Sequence, residues 1–143
     1  MASKVLTFGE FKTKAGRLSP YFFNAGLFNR GAGLGRLATF YAQTLLQARA
    51  QGRVEFDMLF GPAYKGIPLA VTTAVSLARD FGKGAVGYTF DRKEQKDHGD
   101  KGPTVGRKLQ DGDRVVLVDD VFTTGETKYD AVKLLNGIAK VTI

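Results

Sequence analysis

Short apolar runs alternate along the chain with longer stretches whose hydrophobic residues recur at helical spacing. The runs Phe56–Phe60 and Val115–Val118 are mainly apolar, which predicts strands that are buried in a sheet, and Gly84–Phe90 predicts a further strand. Leu34–Ala50 and Ile67–Phe81 show helical spacing, and the second is apolar on most sides, so it should be well buried. Strands that alternate with helices in this way predict a parallel α/β sheet, with ligands at the carboxyl ends of the strands.

The two ends of the chain fall outside this alternation. Val5–Phe11 alternates apolar and polar residues and predicts a short edge strand, whereas Tyr21–Gly26 is extended and aromatic. A basic turn, Lys12–Pro20, separates them. Gly31–Gly33 predicts a hinge or cap before the first long helix, and Ala139–Ile143 predicts the start of another strand.

The composition narrows the possible classes of protein. A chain of 143 residues predicts one domain, and the absence of Cys excludes disulfides and thiolate metal sites. No apolar run approaches membrane-spanning length and the start does not resemble a signal peptide, so we expect a cytoplasmic protein with no membrane partner. The net charge of +7 could indicate nucleic acid, but the Lys and Arg residues are scattered, with one cluster at Arg92–Lys101, and small anionic substrates explain the excess equally well.

The strongest chemical signal follows the run Val115–Val118. Asp119 and Asp120 stand where this strand should end, and acids are costly to bury there without a partner. A loop of small and polar residues, Thr123–Thr127, comes next, and helical spacing starts at Lys128. Backbone N–H groups in such a loop, together with a helix start, favour a bound phosphate. The two acids would then suit the hydroxyls of an attached sugar.

This run resembles the phosphoribosyl pyrophosphate (PRPP) motif of type I phosphoribosyltransferases. The resemblance implies that the loop holds the 5′-phosphate and that the acids hold the ribose. Glu126 departs from the family, in which Gly or Thr is frequent, and we expect its carboxylate to point away from the phosphate. The implied PRPP-binding residues are Tyr64, Lys65, Asp119, Asp120, Val121, Phe122, Thr123, Thr124, Gly125, Glu126 and Thr127.

A second loop, Gly61–Pro68, also follows a strand and opens a helix. Taken alone, its residues fit an ordinary strand-to-helix turn about as well as an anion site. Beside the first motif they favour an anion site, because both loops should lie at the same edge of the sheet. Pyrophosphate would suit this site, with Lys65 as its charge partner.

A charged stretch, Asp91–Thr104, is almost free of apolar residues and contains the single His. Such runs are usually solvated loops, but long loops in a compact domain are often lids. The pattern Arg-Lys-x-x-Lys-Asp-His-Gly that begins at Arg92 resembles the catalytic loop of bacterial orotate phosphoribosyltransferases. The resemblance gives His98 as a candidate proton donor. The implied catalytic residues are Lys65, Arg92, Lys93, Lys96, His98, Asp119 and Asp120.

The aromatic segment Ser19–Gly26 is the remaining signal. Phe22 and Phe23 are neighbours and should face opposite sides of an extended segment. We expect one to fill the core and the other to stack on a flat ring, although two core aromatics would be the simpler arrangement. With Lys14 upstream, the segment resembles the orotate-binding segment of the same family. The implied orotate-binding residues are Lys14, Phe22, Phe23 and Thr123.

The resemblance to orotate phosphoribosyltransferases therefore covers nearly the whole chain. It implies an α/β fold class: a type I phosphoribosyltransferase-like parallel sheet flanked by helices, with an N-terminal hood segment and a long flexible loop. The single domain, 1–143, would comprise a base-binding segment, 1–30, and a PRPP-binding core, 31–143. Family members have a further helix before the position of Val5 and continue past that of Ile143, so we expect this chain to be truncated at its C-terminus.

The function implied by the resemblance is transfer of the phosphoribosyl group of PRPP to orotate, giving orotidine 5′-monophosphate and pyrophosphate in pyrimidine synthesis. Mg²⁺ would be the cofactor, carried by PRPP, with no metal ligand assigned to the chain. The family's homodimers imply that the charged loop acts in trans on the neighbouring site.

Two other functions stay open at this point. The first is a PRPP-binding regulatory module without catalysis, which the positive charge permits and the intact catalytic loop disfavours. The second is a purine-base phosphoribosyltransferase, which the segment containing Lys14, Phe22 and Phe23 disfavours.

Overall fold

The computed structural model describes residues 4–13, 16–94, 102–122 and 124–143. A two-stranded antiparallel sheet comes first along the chain, and a four-stranded sheet with α-helices follows it. The strands are β1 (Leu6–Lys12), β2 (Leu18–Phe23), β3 (Met58–Phe60), β4 (Gly87–Asp91), β5 (Thr104–Gly106) and β6 (Val115–Leu117). The helices are α1 (Gly31–Ala50), α2 (Gly66–Phe81) and α3 (Glu126–Ile138), and a 3₁₀ turn covers Ala25–Leu27.

The four-stranded sheet has the order β5-β4-β3-β6. β3 runs parallel to both of its neighbours, and Phe60 pairs with Thr89 of β4 and with Leu117 of β6. This register brings the carboxyl ends of three strands to one edge of the sheet. The loops that follow β3 and β6 therefore start side by side, as the strand-helix alternation predicts.

Two hydrophobic clusters cover the two faces of this sheet. Phe56, Leu59 and Val118 pack with residues of α1 and α2 on one face. Met58, Phe60 and Val115 pack with Ala131 and Leu135 of α3 on the other face. The prediction that α2 is well buried is confirmed by the buried residues Gly66, Leu69, Ala70, Thr73, Ala74, Ser76 and Leu77.

Several predicted boundaries change in the structure. Gly31–Gly33 is not a hinge or cap but the first turn of α1. Glycine lowers helix propensity by at most about 1 kcal/mol per residue, and packing of an apolar helix face outweighs that cost. The sheet is also mixed rather than wholly parallel, because β5 pairs antiparallel with β4. Three residues of β5 are too few to produce a recognisable periodicity. In the part of the chain that the structure describes, no helix has the length and apolar character of a membrane span.

An ion pair joins the amino ends of β3 and β6. Arg114 donates from Nε to Oδ2 of Asp57 at 2.8 Å and from Nη2 to Oδ1 at 2.7 Å. The hydrogen bonds from Arg114 lower the pKa of Asp57 to about 2. The pair stands immediately before both strands, so it helps to fix their relative alignment.

The substitution Asp57→Asn should reduce the free energy of unfolding at neutral pH by about 0.5–1 kcal/mol. The effect is small because the Asp57 side chain is 39% exposed and water screens the pair. The pKa of Asp57 is lower in the folded protein than its ordinary value of 3.8, so the pair stabilises the fold above that value and is lost as the pH falls towards 2. Urea unfolding from about pH 5 to about pH 2 measures this dependence. A stability difference that stays constant over this range would contradict the prediction.

Candidate active site

Two loops meet at the carboxyl edge of the sheet. The first loop runs from Gly61 to Gly66 between β3 and α2, and the second runs from Val118 to Gly125 between β6 and α3. They touch at Gly66, where an added Cβ would lie 2.9 Å from the carbonyl oxygen of Val118. Lys65 Nζ of the first loop lies 3.4 Å from Asp120 Oδ2 of the second. The structure therefore brings the two predicted anion loops together around the acidic pair.

Both acids are largely withdrawn from water and both have cationic partners. The Asp119 side chain is 17% exposed and forms an ion pair with Lys128, whereas the Asp120 side chain is 8% exposed and pairs with Lys65. Asp119 Oδ1 also accepts a hydrogen bond of 2.9 Å from the backbone N–H of Asp120. These partners offset the cost of burying two adjacent carboxylates.

Tyr41 of α1 forms a hydrogen bond with the backbone of the acidic pair, Asp119 and Asp120. Its hydroxyl donates to the backbone carbonyl of Asp119 at 3.0 Å. Burial, followed by the charges of Asp120 and Asp119, raises the pKa of Tyr41, so its hydroxyl stays protonated and remains a donor. Sequence analysis predicted the helix Leu34–Ala50, on whose apolar stripe Tyr41 lies, but gave Tyr41 no role at the site. The available signal was that a tyrosine on such a stripe usually needs a hydrogen-bond partner.

The second loop enters α3 through Gly125. This residue has φ of +83°, a left-handed conformation that glycine adopts readily. Its carbonyl accepts from the N–H groups of Lys128 and Tyr129 at 2.9 and 3.1 Å. The N–H groups of Glu126 and Thr127 come before this ladder and have no partner within the helix, as at any helix start, and the N–H of Glu126 donates a long hydrogen bond of 3.5 Å to Thr124 Oγ1. N–H groups at such a position favour a bound anion. Glu126 is exposed.

The other side chains of this loop differ in exposure. Val121 is 41% exposed and Phe122 is 76% exposed, although the motif implies that both lie at the PRPP site. Thr124 is exposed, and its Oγ1 lies 3.5 Å from the backbone nitrogen of Glu126. Val121, Phe122 and Thr124 therefore present their side chains to solvent, in contrast to Asp119 and Asp120.

The first loop is held by the end of β4. Asp91 Oδ1 accepts a hydrogen bond of 2.5 Å from the N–H of Ala63, and Asp91 Oδ2 lies 3.0 Å from Lys93 Nζ. Arg92 Nε is buried and has no hydrogen-bond partner among the described residues. Tyr64 is 70% exposed, and the peptide bond that precedes it is cis. Asp91 is a site residue that sequence analysis missed, because a first residue of a charged loop gives no sign of a partner 28 positions upstream.

The predicted charged loop is shorter than expected. Asp91 and Thr104, its predicted first and last residues, are strand residues that pair with each other across β4 and β5. The backbone N–H of Arg92 extends this pairing by donating to the carbonyl of Pro103 at 2.9 Å. Backbone pairing determines these ends, and it leaves no mark in the composition.

Four predicted site residues, Lys14, Lys96, His98 and Thr123, lie outside the described residues. Their roles remain predictions. Among the described residues as a whole, no group of three or more His, Cys, Asp or Glu side chains comes close enough to hold a metal ion.

The prediction that one of Phe22 and Phe23 fills the core is wrong. The two side chains are 49% and 37% exposed, because among the described residues β2 pairs with β1 alone, in a separate two-stranded sheet. Phe22 packs against Phe11 of β1, with ring centroids 5.6 Å apart. Among the described residues, no hydrogen bond or ion pair connects either phenylalanine to the acidic pair.

Known proteins resemble both this sequence and this fold. A family model described as phosphoribosyl transferase domain matches residues 30–139. The orotate phosphoribosyltransferase of Herminiimonas arsenicoxydans is 60% identical over 132 residues, which are 92% of this chain and 56% of the relative. The protein of the same name from Bifidobacterium adolescentis is 50% identical over 145 residues, covering 100% of this chain and 62% of the relative.

A solved structure extends the likeness to three dimensions. The crystal structure of orotate phosphoribosyltransferase from Francisella tularensis has a TM-score of 0.80 to this chain at 44% identity. The match covers 99% of this chain and 63% of that protein. These matches confirm the resemblance to orotate phosphoribosyltransferases and the type I phosphoribosyltransferase-like α/β fold. The chain spans 54% to 62% of the length of such curated relatives.

Proposed function

The chain belongs to the phosphoribosyl transferase domain family, and on that premise we propose that the protein transfers the phosphoribosyl group of PRPP to orotate. The products would be orotidine 5′-monophosphate and pyrophosphate. The observation that carries the proposal is the meeting of two anion loops across the Lys65–Asp120 ion pair, with both acids at the strand end between them. The names of relatives at 50% to 60% identity support orotate as the acceptor base.

The site offers a separate surface for each part of PRPP. The loop from Val121 to Gly125 and the first N–H groups of α3 would bind the 5′-phosphate. Asp119 and Asp120 would accept hydrogen bonds from the ribose hydroxyls. The loop from Gly61 to Gly66, with Lys65, would bind the pyrophosphate. This order would put the anomeric carbon between the two acids and the loop Gly61–Gly66.

Charge complementarity would drive the reaction. The bond from the anomeric carbon to the pyrophosphate oxygen breaks, and its electron pair leaves with pyrophosphate. A bond from the anomeric carbon to the ring nitrogen of orotate forms as that nitrogen releases its proton, and the ribose ring develops positive charge in between. Asp119 and Asp120 would stabilise that positive charge, and Lys65 would stabilise the negative charge that grows on pyrophosphate. The buried Nε of Arg92 has no described partner, and Lys93 sits beside Asp91, so both cations are further candidates for the pyrophosphate side. Lys96 and His98 complete this set in our proposal, with His98 as proton donor.

We propose that Mg²⁺ enters with PRPP. Magnesium sites in proteins commonly combine substrate phosphates with one or two carboxylates, and Asp119 and Asp120 are the carboxylates beside the phosphate loops. When bound, the ion would neutralise part of the negative charge on the phosphates.

The remaining parts of the proposal concern the binding of orotate and the contribution of a second subunit. Phe22 and Phe23 are exposed aromatics and would stack on the flat orotate ring, with Lys14 and Thr123 as its polar partners. We further propose a cytoplasmic homodimer in which the segment carrying Lys96 and His98 reaches the neighbouring site. The net charge of +7 would attract the anionic substrates.

Titration of the full natural protein with PRPP and Mg²⁺, followed by turnover assays with orotate and with purine bases, tests the proposal. We expect saturable PRPP binding and formation of orotidine 5′-monophosphate, with no product from adenine or hypoxanthine. Sedimentation of the same sample should give the mass of a dimer.

The alternative functions give different results in the same assays. PRPP binding without turnover of any base would indicate a regulatory module. Turnover of a purine in preference to orotate would overturn the assigned base. A monomer with full activity would remove the proposed action in trans.

A further inference from the structure

Lys128 makes an unusual set of contacts for a residue in the first turn of a helix. Its Nζ forms an ion pair with Asp119 Oδ2 and donates to the carbonyl of Val121 at 2.6 Å. It also lies 3.4 Å from Thr127 Oγ1. An ammonium group has three N–H donors, so these three acceptors match all of them. The side chain is 20% exposed, although lysine is normally a surface residue.

The position of Lys128 is electrostatically unfavourable by itself. A helix N-terminus carries a partial positive charge, and cations are disfavoured there. The pairing with Asp119 and the carbonyl of Val121 supplies the compensation. A lysine at this place is therefore stabilised by Asp119, and the partly buried carboxylate of Asp119 is in turn stabilised by the lysine.

The two acids differ in how firmly their lysines are held. Lys65, the partner of Asp120, is 62% exposed, and its Nζ lies 3.4 Å from the carboxylate. It can turn to an arriving anion at little cost. Lys128 cannot do so without leaving both a carboxylate and a loop carbonyl unpaired. Of the two, Lys65 is suited to bind substrate and Lys128 is suited to hold the site in shape.

The contacts of Lys128 connect three parts of the site. Asp119 lies two residues after the end of β6, Val121 begins the segment that we propose receives the 5′-phosphate, and Lys128 itself belongs to α3. Asp119 is also fixed by Tyr41 at its carbonyl and by the N–H of Asp120 at Oδ1. The ammonium group thus supplies the contact that orients the second carboxylate oxygen and sets the entry of the loop.

We propose that Lys128 is a positioning residue for phosphoribosyl transfer, one that orients Asp119 and presets the loop that receives the 5′-phosphate. This inference rests on the proposed function. The positive charge of Lys128 also offsets one of the two negative charges, those of Asp119 and Asp120, that an anionic substrate would meet.

The test is a double-mutant cycle between Lys128 and Asp119, measured by titration of PRPP and Mg²⁺ into the full natural protein. Lys128→Met should weaken PRPP binding about tenfold or more, because a charge-assisted contact is lost. In the Asp119→Ala background, which leaves no side-chain oxygen for Lys128 to orient, the same change should have a much smaller effect, because Lys128 acts through Asp119. Lys128→Arg, which keeps the charge, should recover part of the affinity. In steady-state assays KM for PRPP should rise while KM for orotate stays unchanged.

Lys133→Met is the matched control, because Lys133 is an exposed lysine of the same helix with no ion pair among the described residues. It should bind PRPP like the wild type. Thermal melting of all variants identifies a purely structural role, in which Lys128→Met lowers Tm but binds PRPP normally once folded. That result would overturn the inference. So would an equal loss of PRPP affinity with and without the substitution at Asp119, or tighter binding of PRPP by Lys128→Met. Failure of the wild type to bind PRPP would instead overturn the proposed function.

Discussion

Replacing Asp119 and Asp120 together by asparagine is expected to abolish PRPP turnover while leaving the fold intact. Asparagine keeps the shape and the acceptor oxygen of each side chain, so Lys128 and Lys65 retain a hydrogen-bond partner. The two negative charges disappear, and with them the stabilisation of positive charge on the ribose ring. Loss of one such electrostatic contribution commonly lowers kcat about 10²–10³-fold, so loss of both should exceed about 10³-fold.

The measurement is steady-state turnover of the full natural protein, with circular dichroism and thermal melting as checks on the fold. Asp130→Asn is a suitable control, because Asp130 is an exposed acid of α3 that makes no ion pair among the described residues. The control should keep wild-type turnover. If the double variant retains turnover within about tenfold of the wild type, the acids do not stabilise the reacting ribose.

Gly66→Ala should be the most destabilising single substitution among those considered, and it should also weaken PRPP binding. A Cβ at this position would lie 2.8 Å from Pro62 Cδ, 2.9 Å from the carbonyl carbon of Gly61 and 2.9 Å from the carbonyl oxygen of Val118. Two of these neighbours are backbone atoms and cannot move aside. Overpacking of this kind costs about 3 kcal/mol at the upper end of its usual range, which lowers Tm by roughly 10 °C for a chain of this size.

The loss of PRPP affinity follows from what the backbone must do to relieve the contact. Moving Gly66 away from Val118 separates the loop Gly61–Gly66 from Asp119 and Asp120, so the ion pair between Lys65 and Asp120 is lost. Gly35→Ala provides the control, because this glycine lies inside α1 and an added Cβ there meets nothing within 4 Å. The control should be neutral or stabilising by up to about 1 kcal/mol. Equal Tm values for Gly66→Ala and the wild type would show that the two loops do not pack as closely as described.

The sequence by itself determined the order of strand, acids, loop and helix around the loop Val118–Gly125. The strand Val115–Leu117, the acids Asp119 and Asp120 and the start of α3 are contiguous in the chain, so their order and spacing already place acids beside a helix N-terminus. The loop after β3 was predictable for the same reason. Both predictions depend on interactions within about a dozen residues, which a linear pattern can record.

Other features depended on residues that are distant in the chain. The partner of the Tyr41 hydroxyl lies 78 positions away, and the partner of the Ala63 N–H lies 28 positions away at Asp91. The antiparallel strand β5 and the exposed faces of Phe22 and Phe23 depend on which strands become neighbours. Periodicity predicts that a residue will be buried or paired, but not which element will cover it.

Lys128 shows the difference between what a local sequence pattern predicts and what only the tertiary structure determines. It lies inside the motif, only nine residues after Asp119, yet its sequence position favours neither the ion pair nor the contact with Val121. The loop between Asp119 and α3 must fold back before the ammonium group can reach both acceptors. The sequence determined that acids, loop and helix follow one another, and the tertiary structure decided which cation holds each acid, because ion pairing depends on distances in space.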